Sequence, residues 1–360
     1  MFELLHRIET TTITIGVICS IYMVFACSNN PTQPANDSPV ITSLIANPVA
    51  VAVTGQSAIV CKANDPNGDA LTYAWTVSSG STAGSGDSVT WNAPSSIGVF
   101  WVKCTVSDNK GALDKDSVGI EVTVPIPTSE LVAYYPFNGN ANDESGNGND
   151  GLVYGAALIA DRFGIAQKAY VFDGTQSKIN LGNDSLLNPT SEITISLWVN
   201  HAGGGTTNQQ VILSKHGQYD TGTQSYDLAW HDSGDPRIDF YVSEDGNHMF
   251  GRSSALTLPR QPGWHHIVAV FKSNLNLDIC IDGQLSNGSL FYATGDTDVQ
   301  PTQTIPAHIA VTTTPAIIGS WTVNNANNFK GIVDDVRIYQ RALTIDEVRS
   351  LYLEAGWTTE

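Results

Sequence analysis

The heptapeptide ITISLWV at residues 193–199 alternates aliphatic side chains with threonine, serine and tryptophan. Successive side chains of a β-strand point to opposite faces of its sheet, so this spacing predicts a strand with one face in a core. WHHIVAVF (264–271) and LDICI (277–281) alternate in the same way. Long alternating strands joined by Gly and Asn turns predict a sandwich of two antiparallel sheets.

The end of the chain departs from this pattern. Thr344 and Glu347 have the spacing of a capping box, in which each side chain bonds the backbone N–H of the other residue. The box predicts one short helix from Ile345 to about Glu354, with Gly356 placed to end it. The sequence therefore predicts an all-β domain with a single C-terminal helix.

Six landmarks within residues 130–358 closely resemble, in order, the LamG-like jelly roll of the concanavalin A-like lectin/glucanase superfamily. They are LVAYYPFNGNANDESGNGNDGLVYG (131–155), YVFDGTQSKINLG (170–182), ITISLWVN (193–200), GWHHIVAVF (263–271), LDICIDGQL (277–285) and GIVDDVRIYQRALTIDEVRSLY (331–352). The resemblance implies a jelly-roll domain that binds a ligand, with glycan as the favoured class.

The same resemblance implies a structural calcium ion. In the superfamily such an ion is often held by the first loop, a glycine carbonyl and an Asp of the last strand. By position these roles fall to Asn138 or Asp143, to Gly174 and to Asp334. Calcium takes six to eight oxygen ligands, which loops rich in Asn, Asp and Gly supply.

The residues give a second argument for a cation near the last strand. Asp334 and Asp335 are neighbours on a predicted strand, so one carboxylate must face an otherwise apolar side and needs a counter-charge. The alternative is that the Asn, Asp and Gly residues only shape turns. In that case Asp334 bonds Arg337 or a backbone amide.

Aromatic side chains indicate a possible carbohydrate surface, because sugars stack on rings and bond nearby polar groups. The segment YDLAWHDSGDPRIDFYV (226–242) places Trp230 on one strand face and Asp227 on the other. Trp230, Tyr219 and Trp321 are the predicted ligand-binding residues. The alternative for each ring is a place in the core of the sandwich.

Catalytic patterns are missing from the sequence. The Glu-x-Asp-x-x-Glu strand of superfamily glucanases does not occur, and neither does Gly-x-Ser-x-Gly or His-Glu-x-x-His. Glu244 and Asp245 are adjacent, so on a strand they would face opposite ways and could not act as a glycosidase pair. We therefore predict that the protein is not an enzyme.

Residues 39–125 read as short strands separated by turn clusters, and DPNGDALTYAW (65–75) resembles PKD-type and related bacterial immunoglobulin-like domains. The resemblance implies an immunoglobulin-like β-sandwich that acts as a spacer. The order Cys61, Trp75, Cys104 matches that fold and implies a disulfide between the two cysteines. The loop 65–69 is interpreted as a tight turn in preference to a calcium loop. Cys280 is expected to be a buried, inert thiol.

The N-terminus is interpreted as an export signal. Residues 10–26 carry no charge, and Ala26 precedes Cys27 in a pattern that resembles a bacterial lipobox. This predicts a lipoprotein signal peptide at 1–26, lipidation of Cys27, a flexible tether at 27–38 and a linker at 126–129. Outer-membrane or cell-surface attachment is expected, and plain secretion is the alternative.

The net charge of the chain limits the classes of partner that it can bind. Asp and Glu number 35 against 17 Lys and Arg, a formal net charge of −18. A chain this acidic repels phosphate backbones and anionic lipid, so nucleic acid is excluded and the membrane is reached only through the lipid anchor. The expected function is non-catalytic binding of a glycan or polysaccharide at the cell surface. A protein-binding adhesion module, for an envelope or extracellular protein, is the first alternative, and a hydrolase with an unrecognised site is the last.

Overall fold

The computed structural model describes residues 35–204, 208–217, 221–232, 234–259, 262–294, 297–299, 305–321 and 327–354. Within these residues the chain forms two β-sandwiches in succession and one short α-helix, so the predicted all-β fold class is confirmed. In the same residues no helix is long and apolar enough to span a membrane. The predicted signal peptide and Cys27 lie outside the described residues.

The first sandwich consists of two four-stranded sheets with the orders β1-β3-β6-β5 and β2-β8-β7-β4. Its strands are β1 (Val40–Asn47), β2 (Ala50–Ala52), β3 (Gln56–Asn64), β4 (Thr72–Val77), β5 (Ser81–Ala83), β6 (Ser88–Asn92), β7 (Gly98–Ser107) and β8 (Leu113–Thr123). Fully buried Trp91 lies at the centre of its core, and its indole N–H donates to the Ser79 carbonyl at 3.0 Å. The turn predicted at 65–69 forms, with Gly68 in the left-handed region at φ 78°.

Cys61 on β3 and Cys104 on β7 meet between the two sheets of this sandwich, next to Trp75. Both are buried free thiols that share a hydrogen bond, and burial raises the pKa of Cys104 to about 12. The predicted proximity is therefore present, but the predicted disulfide is not formed in this structure. Cys280 is a buried free thiol, as expected.

The second sandwich packs a nine-stranded sheet against an eight-stranded sheet. The nine-stranded sheet has the order β10 (Leu152–Tyr154), β13 (Lys178–Gly182), β24 (Ala316–Ile318), β15 (Gln209–His216), β16 (Gln224–His231), β17 (Arg237–Ser243), β18 (Met249–Ser254), β22 (Asn287–Thr294) and β23 (Thr297–Val299). The eight-stranded sheet has the order β11 (Ala157–Ile159), β12 (Ala169–Asp173), β25 (Lys330–Tyr339), β14 (Glu192–His201), β19 (Trp264–Lys272), β20 (Asn276–Ile281) and β21 (Gln284–Leu285), with β9 (Leu131–Tyr135) also paired to β25.

The core between these sheets follows the predicted alternation. The four aliphatic side chains of ITISLWV are fully buried in it, and Trp198 points to the other side of the eight-stranded sheet. There it stacks on Tyr352 with ring centroids 5.7 Å apart. Helix α1 (Ile345–Tyr352) covers this outer side, and both hydrogen bonds of the predicted capping box between Thr344 and Glu347 are present.

The nine-stranded sheet presents its other side away from the core. On β16, Tyr226, Leu228 and Trp230 point inward, so Asp227 and His231 point outward. The outward side of β15, β16 and β17 is polar and aromatic, which makes it the part of the fold that needs a chemical explanation.

Candidate functional site

Trp321 lies over the outward side of the nine-stranded sheet, just after β24. Its indole N–H donates to Oδ2 of Asp227 at 2.7 Å. Its ring stacks on His216 with centroids 4.5 Å apart and an interplanar angle of 17°. Burial lowers the pKa of His216 to about 4, so the ring beneath Trp321 is neutral at physiological pH. The two contacts hold a partly exposed indole in one orientation.

Asp227 is a buried acid, and only one of its two carboxyl oxygens accepts a hydrogen bond from the described residues. Oδ2 accepts the indole N–H, and buried Oδ1 has no hydrogen-bond partner among the residues that the structure describes. Burial raises the pKa of Asp227 to about 7, and the nearby carboxylate of Asp239 adds to the shift. An acid in this state positions the Trp321 ring without carrying a full charge below neutral pH.

Asp239 on β17 plays a similar part for Arg237. Its Oδ1 lies 3.2 Å from the Arg237 Nε, which also donates to the Ser253 hydroxyl at 3.0 Å. The Tyr241 hydroxyl donates to the second Asp239 oxygen at 3.2 Å. The Arg237 side chain is 33% exposed, so buried Asp239 holds in place a guanidinium that solvent and ligands can reach.

We call this group the Trp321 face: the partly exposed Trp321, His231 and Arg237, with the buried His216, Asp227 and Asp239 on the same outward side of the sheet. Partly exposed His231 pairs with Arg237 across β16 and β17. From Asp227 to His231 the strand rises about 13 Å, so a ring at one end and the side chains of His231 and Arg237 at the other are spaced for a short oligosaccharide. The exposed side chains are held by buried ones, which keeps the entropy cost of binding low.

The three predicted ligand-binding residues have different outcomes. Trp321 lies on the Trp321 face. Trp230 lies in the core, where its ring is 1% exposed and stacks on His201 with centroids 4.4 Å apart, so the structure does not place it on the Trp321 face. Tyr219 lies outside the described residues.

Sequence reasoning did not single out Asp239, Arg237 or His216. The alternation of residues 226–242 contained a usable signal, because it sets Asp227 and Asp239 on the side opposite Trp230. No local sequence pattern marks His216, since its role depends on its contact with Trp321, which lies 105 residues further along the chain.

The two acids of the Trp321 face do not behave as a glycosidase pair. Asp227 and Asp239 sit on adjacent strands but are 2% and 1% exposed, behind Trp321 and Arg237. A catalytic pair must reach both sides of the scissile bond. Glu244 and Asp245 lie in a turn after β17, where Asp245 accepts the backbone N–H of Asn247 at 2.8 Å. The geometry therefore suits binding.

Two of the four predicted calcium ligands meet in one place. Asn138 and Asp334 line a cavity of about 230 Å³, together with Arg162 and Lys168. The Arg162 Nη1 lies 2.9 Å from Asp334 Oδ2 and 2.6 Å from Asp335 Oδ2. The expected counter-charge near the last strand is thus the Arg162 guanidinium. Asp334 also accepts the backbone N–H of Asp335 at 2.8 Å.

The other two predicted ligands shape turns. The Asp143 carboxylate accepts the backbone N–H groups of Tyr134 and Ser145, each at 2.9 Å, and that of Asn149 at 3.0 Å. Gly174 has φ 77° at a turn after β12. Because Asp334 already binds a guanidinium and Asn138 binds the Lys168 ammonium, these side chains as arranged do not fit a calcium ion.

A different acidic group lies in the first sandwich. Oxygen atoms of Asp65, Asp69 and Asp108 come within 4.8 Å of one another, which could hold a metal ion. The Lys110 ammonium lies 2.6 Å from Asp69 and supplies a positive charge there. Asp65 accepts the N–H of Asn67 at 2.8 Å, as a turn residue does.

Comparison with known proteins finds a family model that matches most of the second sandwich. Residues 173–349 match the model of the concanavalin A-like lectin/glucanases superfamily, of the laminin G type. The second sandwich therefore contains a LamG-like, concanavalin A-like jelly roll at 173–349, and the chain joins it to a smaller N-terminal β-sandwich. A comparison with curated proteins found no match.

The solved structures that this chain resembles are distant from it. The binding domain of Paraclostridial Mosquitocidal Protein 1 is 18% identical, with a TM-score of 0.47, over 62% of this chain and 52% of that one. Domain 4 of a GH43 extracellular arabinanase from Geobacillus stearothermophilus, in complex with arabinotriose, is 22% identical, with a TM-score of 0.41, over 62% and 98%. The binding domain of Botulinum Neurotoxin DC in complex with SialylT is 11% identical, with a TM-score of 0.44, over 62% and 51%. This chain therefore spans about half the length of the two toxin binding domains.

Proposed function

We propose that this protein is a non-catalytic carbohydrate-binding protein and that its second sandwich binds glycan at the Trp321 face. The observation that carries the proposal is the partly exposed Trp321 ring, fixed by Asp227 below its N–H and by His216 below its plane. A fixed ring offers an apolar platform to the C–H face of a sugar, and Arg237 and His231 donate to its hydroxyls.

Neutral glycans are the favoured class. The chain carries a net charge of −18, which repels sulfated and uronate polymers at a distance. Arg237 is already paired with Asp239, so it acts as a hydrogen-bond donor more than as a free positive charge. We therefore expect glycan binding to weaken if the Arg237 guanidinium loses its position beside Asp239, even when both side chains stay charged.

A glycan array screened with the full chain tests this proposal. We expect binding to a defined class of neutral glycans, and Trp321→Ala to weaken it about tenfold, which corresponds to about 1.4 kcal/mol. Tyr154→Ala is the matched control, since it removes a 43% exposed ring from β10, an edge strand of the same sheet. Melting temperatures of both variants show whether the fold is kept.

Two outcomes would contradict the proposal. Unchanged affinity of a folded Trp321→Ala variant would remove the Trp321 face from the site. Absence of binding to any glycan would favour the protein-binding alternative. Repeating the screen with a chelator tests the calcium that the family resemblance implies, because loss only with the chelator would show that a metal supports binding.

We also propose that the chain is exported, lipidated at Cys27 and held at the outer membrane or cell surface, with a PKD-like first sandwich presenting the second. The export reading is supported by the uncharged run of residues 10–26 before Cys27 and by the acidic, lysine-poor composition. In such a compartment the touching thiols of Cys61 and Cys104 would be joined.

Oxidation of this cysteine pair is expected to stabilise the first sandwich by about 2–5 kcal/mol, because the bond would close a long loop in the unfolded chain. The measurement is thermal unfolding of the oxidised protein with and without reductant, with the intact mass reporting the loss of two hydrogens. Cys280→Ser leaves the pair untouched and serves as the control. An unchanged melting transition on reduction would refute the disulfide.

A further inference from the structure

Two buried guanidinium groups hold three carboxyl groups on the outer side of the eight-stranded sheet. The Nη1 atom of Arg162 bridges Asp334 and Asp335, as described above. The Nη2 atom of Arg337 lies 2.8 Å from Oε2 of Glu354, which follows helix α1. The two arginine side chains are 3% and 4% exposed, so these ion pairs form away from solvent. We call these five residues the arginine–carboxyl network.

The position of Arg162 in this network is fixed from several sides. It lies in a tight turn between β11 and β12, in which the Asp161 carboxylate accepts the backbone N–H groups of Phe163 at 2.9 Å and Ile165 at 2.8 Å. The guanidinium makes cation–π contacts with the rings of Phe163 and Trp198. A turn, two carboxyl groups and two ring faces therefore hold one cation in one place.

The oxygen atoms that Arg162 binds are those that a divalent cation would need. Asp334 is the last-strand calcium ligand that the family resemblance implies, and its Oδ2 is taken by the guanidinium. Calcium binds carboxylate oxygens at about 2.4 Å. An ion at that distance from the Oδ2 atoms of Asp334 and Asp335 would meet the guanidinium that already bridges them. Two cations that close repel each other, so the ion and the arginine exclude one another.

We propose that the Arg162 guanidinium takes the place of a calcium ion in the second sandwich. The guanidinium supplies the positive charge that the carboxyl groups of the last strand require, so folding and ligand binding need no metal at this position. A bound ion stabilises a fold only while its free concentration exceeds its dissociation constant, whereas a side-chain cation is always present. The inference goes beyond the proposed function, because it concerns what stabilises the domain and not what the domain binds.

The same arrangement predicts a latent metal site. If Arg162 is shortened, Asp334 and Asp335 lose their shared counter-charge, while Asn138 and Glu354 still line the same cavity of about 230 Å³. Carboxylate and amide oxygens are ligands that calcium prefers, and a divalent ion would restore the missing positive charge. Loss of the arginine should therefore make the stability of the fold depend on calcium.

Thermal unfolding of the full chain in EDTA and in millimolar calcium tests this inference. We expect the wild-type melting temperature to be the same in both. Arg162→Ala should melt at a lower temperature in EDTA and regain at least about 5 °C in calcium, as expected for an ion well above its dissociation constant. Arg162→Lys is the matched control, because it keeps a positive charge at the carboxyl groups and should show no response to calcium.

Terbium luminescence reports binding of the ion without reference to stability. Tb³⁺ binds to calcium sites and emits when an excited Tyr or Trp ring lies close to it. Tyr134 lines the cavity, and Trp198 contacts Arg162. We expect Arg162→Ala to show a terbium site that the wild type lacks and that a further Asp334→Asn change removes. Asp69→Asn in each chain separates this site from the acidic group of the first sandwich.

Three results would overturn the inference. The first is a wild-type melting temperature that falls in EDTA, and falls equally in the Asp69→Asn chain. The second is an Arg162→Ala variant that calcium neither stabilises nor, if it is unfolded in EDTA, refolds. The third is an equal calcium response in Arg162→Lys. Glycan binding is read in none of these experiments, so their failure would leave the proposed function as it stands.

Discussion

Arg162→Ala is expected to destabilise the second sandwich by about 3–5 kcal/mol, because it leaves buried carboxylates without their counter-charge. The Arg162 side chain is 3% exposed and bridges Asp334 and Asp335. Its guanidinium also lies 4.6 Å from the ring centroid of Phe163 and 4.6 Å from that of Trp198, and each is a cation–π contact. Chemical denaturation of the purified variant measures the loss.

The destabilisation caused by Arg162→Ala should be larger at high pH than at neutral pH. Burial and the neighbouring Asp335 raise the pKa of Asp334 to about 8, so the folded state binds a proton that the unfolded state releases near pH 4. This contribution to stability is complete below pH 4 and is lost as the pH rises towards 8. Without Arg162 the folded pKa would be higher still, so the variant continues to lose stability above pH 8.

Arg349→Ala is the matched control for this experiment. Arg349 pairs with Asp346 at 3.3 Å, with both side chains nearly half exposed, and such a pair contributes little. If Arg162→Ala cost no more than Arg349→Ala, the bridge would not be the element that stabilises the last strand.

Trp230→Ala is expected to cost about 3–5 kcal/mol, as large truncations in a core do. The ring is buried between the sheets and stacks on His201, which itself lies 5.9 Å from the Phe329 ring. Trp230→Phe keeps much of the volume and should cost less. Denaturant unfolding measures both variants, and glycan titration follows on whichever remains folded.

The binding measurement separates the two roles considered for Trp230. If Trp230 is a core residue, folded Trp230→Phe should bind glycan as the wild type does. Normal stability of Trp230→Ala together with lost binding would instead make Trp230 a ligand contact.

Much of the second sandwich could be predicted because its strands carry a period of two. ITISLWV places its aliphatic side chains in the core as predicted, and Thr344 with Glu347 marks the start of α1. Local chemistry decides both features, so the sequence around them suffices.

The partner of Asp334 could not be predicted from such local patterns. Arg162 lies 172 positions away, in a loop whose course depends on the whole sandwich. Asp335 adds a second difficulty, since its φ of 46° marks a bulge that breaks strict alternation. Both carboxylates therefore reach one guanidinium, although a regular strand would send them to opposite sides.

The candidate site was predictable in part. Trp321 was a predicted ligand-binding residue and lies partly exposed, but Trp230 and Asp227 lie on a strand that is buried on both sides. In such a strand alternation separates the two faces and does not show which one meets the core. The choice depends on the opposing sheet, which no local pattern reveals.

The central claim is that sugar occupies the Trp321 face, and a crystal structure of the chain with its tightest array glycan tests it most directly. We predict a sugar ring stacked on Trp321, with Arg237 or His231 donating to its hydroxyls. A glycan bound elsewhere, with Trp321 outside contact distance, would contradict this account.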